Sequence, residues 1–578
     1  MLQLIGLAFV LLLAGGIKFF LTLRQKRAEL NGLPQPPSRK WYLGHLEIAK
    51  ECRDLFPPDC HPQAWARYVQ KKYDLPEIFY LDWWPFGPRW IFMSDPEMIS
   101  QYTTTGQSLP KSSQATEFLD LFLGKDNMVS IEGEKWKTQR SMFNPGFSAA
   151  HLMTLVPYIV DCSVVFIDVI RQKAKSHEKF ELEEAATRLT IDIIGKVVLD
   201  SDFDSQKGVH PIVETFRERA PLMPSQRSVI NTTSLEFIRR WKLWRNGIQL
   251  DRLIGEELDR KLASRFSTSN SYTSEKKSSK DRKRSVVDLA LDAYQKDFPD
   301  QSIHGKSMNK FFRSTCIDSM KTFIFAGHDT TASTIAYVFY LLHTHPAVHN
   351  KLVAEIESVF GSSATTSQIA DAIISDPYIT NNLPYILAVI KETLRLFPPA
   401  STLRMATAPG LFVPAPGEPT RKLPLSGWQI WPIALLAHRN ERFFPDPLHF
   451  VPERFIQSET PYPDCLLHTP AGKDAWRPFE KGPRSCIGEQ LAMLEMKIIL
   501  AMTVKESDFV AEFKDGVPVE TFEPVESCVD QPRRAEAKAR GEVLPNTIEG
   551  HKCYQILKGA AKPAEGMPGR MYLRKESR

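Results

Sequence analysis

Cys486 lies in a ten-residue stretch, FEKGPRSCIG (479–488), that limits the folds open to this chain more than any other segment. Gly482 and Gly488 allow backbone conformations and close approaches that are barred to residues with a Cβ. The sequence that follows, EQLAMLEMKII, carries large apolar residues at helical spacing. We therefore predict a tight turn that leads into a helix, with Cys486 in the positive field at the helix N-terminus.

The residues of this turn are typical of the surroundings of a cysteine thiolate that binds a metal. Such a thiolate needs positive potential and N–H donors around its negative charge. Arg484 is placed to meet an anion beside the metal, and Phe479 can shield the sulfur from water. The alternative interpretation is a buried structural cysteine beside chance glycines.

The amino terminus is a different kind of segment. Residues 1–23 are almost unbroken apolar sequence, long enough to cross a bilayer as a helix. The basic run RQKR (24–27) follows, and by the positive-inside rule it keeps the rest of the chain on the cytoplasmic side. A cleaved signal peptide is the alternative, but this segment lacks a basic n-region and its apolar stretch is too long. We predict a transmembrane signal anchor at 1–23 and a basic, proline-rich linker at 24–40 that acts as a semi-rigid spacer.

Composition and missing motifs exclude several classes of protein. With 43% hydrophobic and 24% charged residues the chain is not wholly disordered. A net charge of +5 over 578 residues is too small to indicate nucleic-acid binding. The eight cysteines form no C-x-x-C pair, which favours a reducing compartment. The sequence also contains no glycine-rich dinucleotide fingerprint and no P-loop.

The rest of the chain has the pattern of one large, mostly helical body. Residues 77–93 predict two strands, and Ser94 and Glu97 predict the capping box of the helix that follows. Residues 320–342 are apolar on nearly every face, as expected for a helix through the centre of a large protein.

Two further features complete this organisation. The polar stretch 267–285 predicts a flexible surface loop rather than a nucleic-acid-binding arm. With no internal repeat and no second linker, we predict a single domain over 41–578.

Polar residues stand out on three predicted helices. AGHDTT (326–331) interrupts the central helix, where a carboxylate and a hydroxyl are costly without partners, although its threonines alone can bond to the preceding turn. Glu392 and Arg395 in KETLRLFPP share one helix face, as do Trp136 and Arg140 in WKTQR. Such pairs also occur on ordinary exposed helices.

F-x-x-G-x-R-x-C-x-G resembles the haem-ligand loop of the cytochrome P450 family, and every fixed position of that pattern is filled. AGHDTT, KETLR and PERF (452–455) precede it in the order that the family has. The resemblance covers Pro34 to about Tyr572. It implies a mainly α fold with small β-sheets, in which one large domain follows the N-terminal anchor.

The resemblance also implies the roles of the motif residues. Cys486 is the expected axial ligand of the haem iron, in a loop formed with Phe479, Gly482, Arg484 and Gly488.

The remaining motifs are expected to bind the haem edge, deliver protons and stabilise the fold. Asp329 and Thr330 are expected to relay protons during oxygen activation, with Gly327 leaving room for dioxygen. Four side chains are expected to hold the two haem propionates: Trp136, Arg140, Arg404 and Arg484. Three are expected to form a buried ion-pair network behind the haem: Glu392, Arg395 and Arg454.

The implied activity is monooxygenation, in which one oxygen atom of O2 enters an organic substrate and the other leaves as water. Electrons are expected from NADPH through a cytochrome P450 reductase, with cytochrome b5 as a further candidate partner, at the endoplasmic reticulum membrane. Five basic residues are candidates for contact with an acidic reductase: Lys135, Lys137, Lys473, Arg477 and Lys481. FIRRWKLWR (237–245) predicts a helix whose face is either covered by the protein or in contact with a bilayer.

The substrate is less constrained by the sequence. By resemblance the pocket includes Ala115–Leu123, Ala326 and Ser401–Leu403, which favours a bulky apolar guest. The motifs are similar in style to those of anchored fungal enzymes that tailor polyketides or terpenoids. Alternatives are a fatty-acid or xenobiotic hydroxylase of the same family, and a membrane-anchored haem sensor or carrier without turnover. Such a sensor needs Cys486 but not the pair Asp329 and Thr330.

Overall fold

The fold is given by a computed structural model that describes most of the chain. The residues outside the description are 1, 38–39, 104–107, 224–233, 271–283, 298–309, 416–417, 517, 520–523, 527, 530–538, 541–546 and 575–578.

Helices form most of the described chain, which confirms the mainly α prediction. In chain order they are α1 (Leu2–Ala28), α2 (Leu46–Leu55), α3 (Gln63–Lys72), α4 (Pro96–Thr103), α5 (Ser113–Leu123), α6 (Gly133–Phe143), α7 (Ala149–Ser176), α8 (Leu182–Ile194), α9 (Pro211–Arg219), α10 (Ser234–Asn270), α11 (Val286–Asp297), α12 (Lys310–Thr344), α13 (Pro346–Phe360), α14 (Thr366–Ser375), α15 (Pro384–Leu396), α16 (Ala434–Ala437) and α17 (Glu489–Thr503).

The strands are short and form small sheets at the edges of the helical body. They are β1 (Ile78–Asp82), β2 (Arg89–Met93), β3 (Phe180–Glu181), β4 (Arg404–Met405), β5 (Phe412–Ala415), β6 (Glu418–Pro424), β7 (Gln429–Pro432), β8 (Ser507–Ala511), β9 (Gln555–Lys558), β10 (Ala560–Pro563) and β11 (Pro568–Leu573). Sheet orders are β1-β2-β7-β4 and β3-β11-β8, with two-stranded hairpins β5-β6 and β9-β10. The predicted strand pair is confirmed, because β1 and β2 are antiparallel with Ile78 opposite Met93.

The start of α4 differs from the predicted capping box of Ser94 and Glu97. The helix begins at Pro96, and the carboxylate of Asp95 accepts a hydrogen bond from the Met98 N–H at 2.8 Å. Ser94 Oγ instead donates to a backbone carbonyl just before β1. Proline favours the first helical position because its missing N–H is not needed there, so the residue before it becomes the cap.

The predicted central helix is confirmed and is longer than its apolar core suggested. α12 contacts α8, α15, α17 and the β9-β10 hairpin. Every residue from Thr331 to Leu342 is buried. The segment AGHDTT therefore lies near the middle of the molecule, between the N-terminal helices and the C-terminal strands.

The N-terminal helix α1 is long and apolar enough to cross a membrane over Gln3–Ala28, with a mean hydropathy of 2.4 and no buried residue in its apolar window. α7 passes the same test of length and composition, but it is a core helix with 44% of its apolar window buried. α1 is thus compatible with membrane anchoring.

The end of α1 packs directly on the body, which differs from the predicted spacer at 24–40. α1 continues through the basic run, and the Arg27 side chain, 8% exposed, forms an ion pair with the fully buried Asp82. Arg27 also donates to the carbonyl of Trp84 at 2.6 Å. A buried carboxylate needs a cation, and this requirement joins the helix end to the β1-β2 hairpin.

Helix α10 contains the aromatic and basic stretch at 237–245. Phe237 is 77% and Trp244 63% exposed, and Trp241 is exposed as well, while Leu243 is buried. The interpretation of this stretch as a face covered by the protein is therefore wrong. The predicted loop at 267–285 begins inside α10, and its residues 271–283 lie outside the described part of the chain.

Candidate active site

Cys486 lies in a tight turn immediately before α17. Its N–H donates to the carbonyl of Phe479 at 2.9 Å, and the Ser485 N–H donates to the carbonyl of Gly482 at 3.0 Å. Gly482 has a φ of +80°, a conformation that favours glycine. Gly488, the N-cap of α17, has an ordinary φ of −87°, so the conformational freedom predicted for it is not used. A Cβ at Gly488 would lie 3.8 Å from the Cys486 sulfur, which is an ordinary van der Waals contact.

Burial and nearby donors act in opposite directions on the Cys486 sulfur. Burial is the largest influence and raises the pKa of the thiol above its ordinary value. Hydrogen bonds from the N–H groups of Gly488 and Glu489, and the positive charge of Arg140, lower it. A bound metal cation takes the place of the thiol proton, and the same donors then stabilise the thiolate.

Two residues inside the protein, Cys486 and Ala326, have accessible surface. Cys486 is accessible although the body of the protein surrounds it. In the middle of α12, Ala326 is exposed while Phe323 and Ile324 one turn earlier are buried. Accessible residues so deep in a protein mark an internal cavity, and the predicted ligand and the predicted distal segment both border such space.

Cationic side chains gather near the Cys486 turn with too few anions. Arg404 is 1% exposed and donates to a backbone carbonyl, but its Nε has no hydrogen-bond partner within the described part of the chain. Arg484 donates to the carbonyls of Val129 and Ile131 and lies 4.6 Å from the ring centre of Trp136. Its carboxylate partner, Glu132 at 3.3 Å, is largely solvent-exposed.

Lys111 is a member of this cluster that the sequence analysis missed. Its Nζ donates to Thr402 Oγ1 at 2.5 Å, and its backbone pairs with Arg404 across an isolated β-bridge. Burial, together with the charges of Arg404 and Arg484, lowers the pKa of Lys111 to about 7. No sequence signal marks it, because its cationic neighbours come from distant segments.

These features fit a haem bound through Cys486. Two propionates would supply anions to Lys111 and Arg404, which have no ion pair among the described residues, and a further anion to Arg484, which pairs with Glu132. The turn supplies a sulfur with N–H donors, as an iron-thiolate bond requires. Arg140 donates to the carbonyl of Ser485 at 2.9 Å and to Asn144 at 2.7 Å, so it also stabilises the turn itself.

In the AGHDTT segment, the two side chains of the predicted proton relay are both engaged in contacts. Thr330 Oγ1 donates to the carbonyl of Ala326 at 2.9 Å. The Asp329 carboxylate accepts from the Ala560 N–H at 3.0 Å and lies 2.5 Å from Lys562 Nζ. The sequence analysis did not identify Lys562.

The structure brings the residues Glu392, Arg395 and Arg454 together in full burial. Arg395 donates to both oxygens of Glu392, at 2.7 and 2.8 Å, and Arg454 donates to one of them at 3.0 Å. Burial favours a raised pKa at Glu392, but the two guanidinium groups outweigh it and hold the pKa below its ordinary value.

This network reaches the segment that leads to Cys486. Arg395 donates to the carbonyl of His438 at 3.0 Å, and His438 Nε2 accepts a hydrogen bond from the backbone N–H of Arg477 at 3.0 Å. α15 is therefore connected to the approach of the Cys486 turn by direct hydrogen bonds.

Arg477 does not belong to the surface proposed to contact a reductase. Arg477 is 2% exposed and pairs with Glu480, so it cannot contact another protein. Lys135, Lys137 and Lys473 are exposed, and Lys481 is partly exposed. The predicted patch therefore consists of lysines alone.

The predicted pocket segments lie next to one another. The Ser112 N–H at the start of α5 donates to the carbonyl of Leu403 at 3.0 Å. Phe122 lies 4.5 Å from the ring of Phe325 on α12 and 6.0 Å from the ring of Phe216 on α9. An aromatic cluster thus stands beside the AGHDTT segment.

Comparison with known proteins agrees with this geometry. The sequence pattern described as Cytochrome P450 matches residues 34–538. The chain is 34% identical over 531 residues to cytochrome P450 monooxygenase acrF of Aspergillus aculeatus, covering 89% of this chain and 98% of that protein. It is 32% identical over 558 residues to cytochrome P450 monooxygenase polC of Polytolypa hystricis, covering 95% and 91%. A solved mutant cytochrome P450DA heme domain superimposes with a TM-score of 0.66 at 18% identity, over 94% of this chain and 98% of that one, which shows the fold alone.

Proposed function

Because this chain belongs to the cytochrome P450 family of monooxygenases, we propose that it inserts one oxygen atom of O2 into a bulky apolar substrate of fungal secondary metabolism. The observation that carries this proposal is the Cys486 turn, which presents its sulfur to an internal space beside a cluster of cations with too few anions. When bound, a thiolate-ligated haem activates dioxygen and carries the oxidising chemistry.

The chain's own residues bind the haem and deliver protons. The N–H groups after Cys486 and the charge of Arg140 stabilise its thiolate. Lys111, Arg404 and Arg484 pair with the haem carboxylates. Asp329 passes protons toward the haem side of α12, and Thr330 holds the terminal hydroxyl of that path.

The aromatic cluster supports an apolar substrate. Phe122, Phe216 and Phe325 come from three helices and offer ring faces rather than charges. Similarity to two fungal monooxygenases, acrF and polC, supports a product of fungal metabolism such as a polyketide or terpenoid. Hydroxylation of a fatty acid or a xenobiotic is the alternative, and a substrate screen separates the two.

Electrons and location follow from the same proposal. A chain without a dinucleotide motif is expected to receive electrons from NADPH through a partner reductase, with cytochrome b5 as a second donor. The exposed lysines 135, 137 and 473 are the residues proposed to meet it. The apolar α1 supports a single-pass anchor in the endoplasmic reticulum membrane with the catalytic domain in the cytoplasm. The exposed aromatic residues of α10 support a second contact with the bilayer.

The proposal is tested with the full chain, its reductase and isotopically labelled dioxygen. Candidate polyketides, terpenoids and fatty acids are first ranked by the change that each causes in the haem spectrum. The expected product of the best ligand carries one labelled oxygen atom, and it is absent when NADPH is omitted. A haem protein that consumes no NADPH with any ligand in the screen would instead be the sensor or carrier.

A further inference from the structure

The carboxylate of Asp329 is held by the C-terminal hairpin. Lys562 Nζ lies 2.5 Å from Asp329 Oδ1, and the Ala560 N–H donates to Oδ2 at 3.0 Å. Both partners belong to β10. The Asp329 side chain is only 6% exposed, so these contacts supply the charge and hydrogen bond that a buried carboxylate needs.

Lys562 joins this carboxylate to a second one. Its Nζ also lies 2.8 Å from Oε1 of Glu183 on α8, which accepts a further hydrogen bond from Thr187 Oγ1 at 3.1 Å. Burial favours a lowered pKa at Lys562, but Asp329 and Glu183 outweigh it and raise the pKa above its ordinary value. One ammonium therefore serves two carboxylates.

His328 is the other titratable neighbour of Asp329. Its Nε2 lies 3.8 Å from Asp329 Oδ1, and its Nδ1 lies 2.5 Å from the carbonyl of Ile324. Burial is the main influence and lowers the pKa of His328, which keeps the imidazole neutral at pH 7. Lys562 is therefore the cation that fixes the charge of Asp329.

The hairpin turn leaves little freedom around Asp329. Gly559 joins β9 to β10 with a φ of +84°, and a Cβ there would lie 2.8 Å from Asp329 Oδ2 and 3.4 Å from the Phe325 ring. The hairpin is anchored elsewhere too, since the Ala561 N–H donates to the carbonyl of Pro399 at 2.8 Å. The Phe325 ring of the aromatic cluster thus lies against the same turn that contacts Asp329.

We propose that Lys562 is a positioning residue for proton delivery, which holds the Asp329 carboxylate in place on α12 and links its orientation to the β9-β10 hairpin. This inference rests on the proposed role of Asp329 in the monooxygenase reaction. Lys562 does not belong to the recognised motifs, because it lies beyond residues 34–538, which the family pattern matches.

The first test measures how much of the consumed NADPH appears as product and how much as hydrogen peroxide. In the full holoprotein with its reductase, Lys562→Met is expected to lower product per NADPH about tenfold, because a misplaced proton donor lets reduced oxygen escape. Lys562→Arg keeps the cation and is expected to retain most of the coupling. Lys558→Met changes an exposed lysine on the other hairpin strand and is the matched control, with coupling like that of the unmodified chain.

Two further measurements distinguish positioning from a merely structural role. Lys562→Met leaves the buried Asp329 and Glu183 without the cation that both contact, so coupling in this variant is expected to vary with pH where the unmodified chain is constant. Hydrogen exchange, which needs no turnover, is expected to speed up at the Ala560 amide in Lys562→Met and not in Lys558→Met. Constant coupling across pH together with unchanged exchange would refute the proposal.

A double variant tests whether Lys562 acts through Asp329. Asp329→Asn is expected to lower coupling by itself, and adding Lys562→Met to it is expected to cause no further loss. A further loss in the double variant means that Lys562 acts elsewhere. If Lys562→Met alone loses its haem, the double variant still tests whether Lys562 acts through Asp329. Its asparagine at position 329 carries no charge that would be left unpaired.

Failure of this inference differs from failure of the proposed function. Full coupling in Lys562→Met, in a protein that shows a thiolate-ligated haem spectrum, refutes only the role of Lys562. A chain without that spectrum refutes the function on which the inference rests.

Discussion

Arg454 donates a hydrogen bond from Nε to Oε1 of Glu392 at 3.0 Å, although the two residues are 62 positions apart and neither is exposed to solvent. The contact joins α15 to the PERF segment, and Arg395 extends it to the backbone before the Cys486 turn. A carboxylate with two buried guanidinium groups is costly to form and still more costly to break.

Glu392→Gln is therefore expected to destabilise the protein strongly. It leaves two buried arginines without an anion, which costs about 3–5 kcal/mol in the free energy of unfolding. Chemical denaturation followed by circular dichroism measures this loss, and the yield of haem-loaded protein is expected to fall with it.

The matched control for that variant is Glu134→Gln. Glu134 forms an exposed ion pair with Lys137, and its loss is expected to change the free energy of unfolding by less than about 1 kcal/mol. Equal stability of the two variants would contradict a structural role for the buried network.

Lys111 predicts a pH dependence of haem binding. Its pKa of about 7 without an anion rises when a propionate pairs with it, so haem binding takes up a proton above pH 7. Apparent haem affinity is thus expected to be highest below about pH 7 and to fall as the pH rises. Titration of the haem-free protein with haem at several pH values measures this change.

Lys111→Met is the variant that isolates this effect. It removes the titrating group. Below pH 7 the variant is expected to bind haem more weakly than the unmodified chain, and above pH 7 its haem affinity is expected to fall much less with rising pH. The same decline in both proteins would assign the pH dependence to another group.

The exposed aromatic residues of α10 predict contact with the bilayer. In full-length protein held in lipid nanodiscs, bromine-labelled lipid tails are expected to quench the fluorescence of Trp244 because its ring enters the interfacial region. Trp244→Ser is expected to remove that quenched component, with unlabelled nanodiscs as the control. Identical quenching in both proteins would place α10 away from the membrane.

The sequence predicted the parts of the site that depend on local spacing. The Cys486 turn, the helix after it and the pair Glu392 and Arg395 are all contained within short segments, where residue spacing fixes geometry. Lys111 and Lys562 were missed because their partners come from distant parts of the chain, 379 residues apart in the case of Lys562 and Glu183. Only the tertiary fold brings such groups together.

Two expectations were wrong because the sequence does not show which charges become buried. Arg477 looked like a surface cation, yet it pairs with Glu480 inside the molecule. The basic run after the apolar segment looked like a free linker, yet Arg27 pairs with the buried Asp82 and fixes the end of α1 on the body. In both cases an arginine is buried because it pairs with a carboxylate inside the protein. Residue spacing alone predicts that these arginines lie at the surface.

The most direct test of the central claim is the carbon monoxide difference spectrum of the reduced protein, recorded for the unmodified chain and for Cys486→Ser. The account predicts the shifted Soret band of a thiolate-ligated haem in the first protein and its loss in the second, with the helical circular dichroism signal retained. Retention of that band in Cys486→Ser, or an unmodified chain that takes up no haem when porphyrin is plentiful, would contradict it.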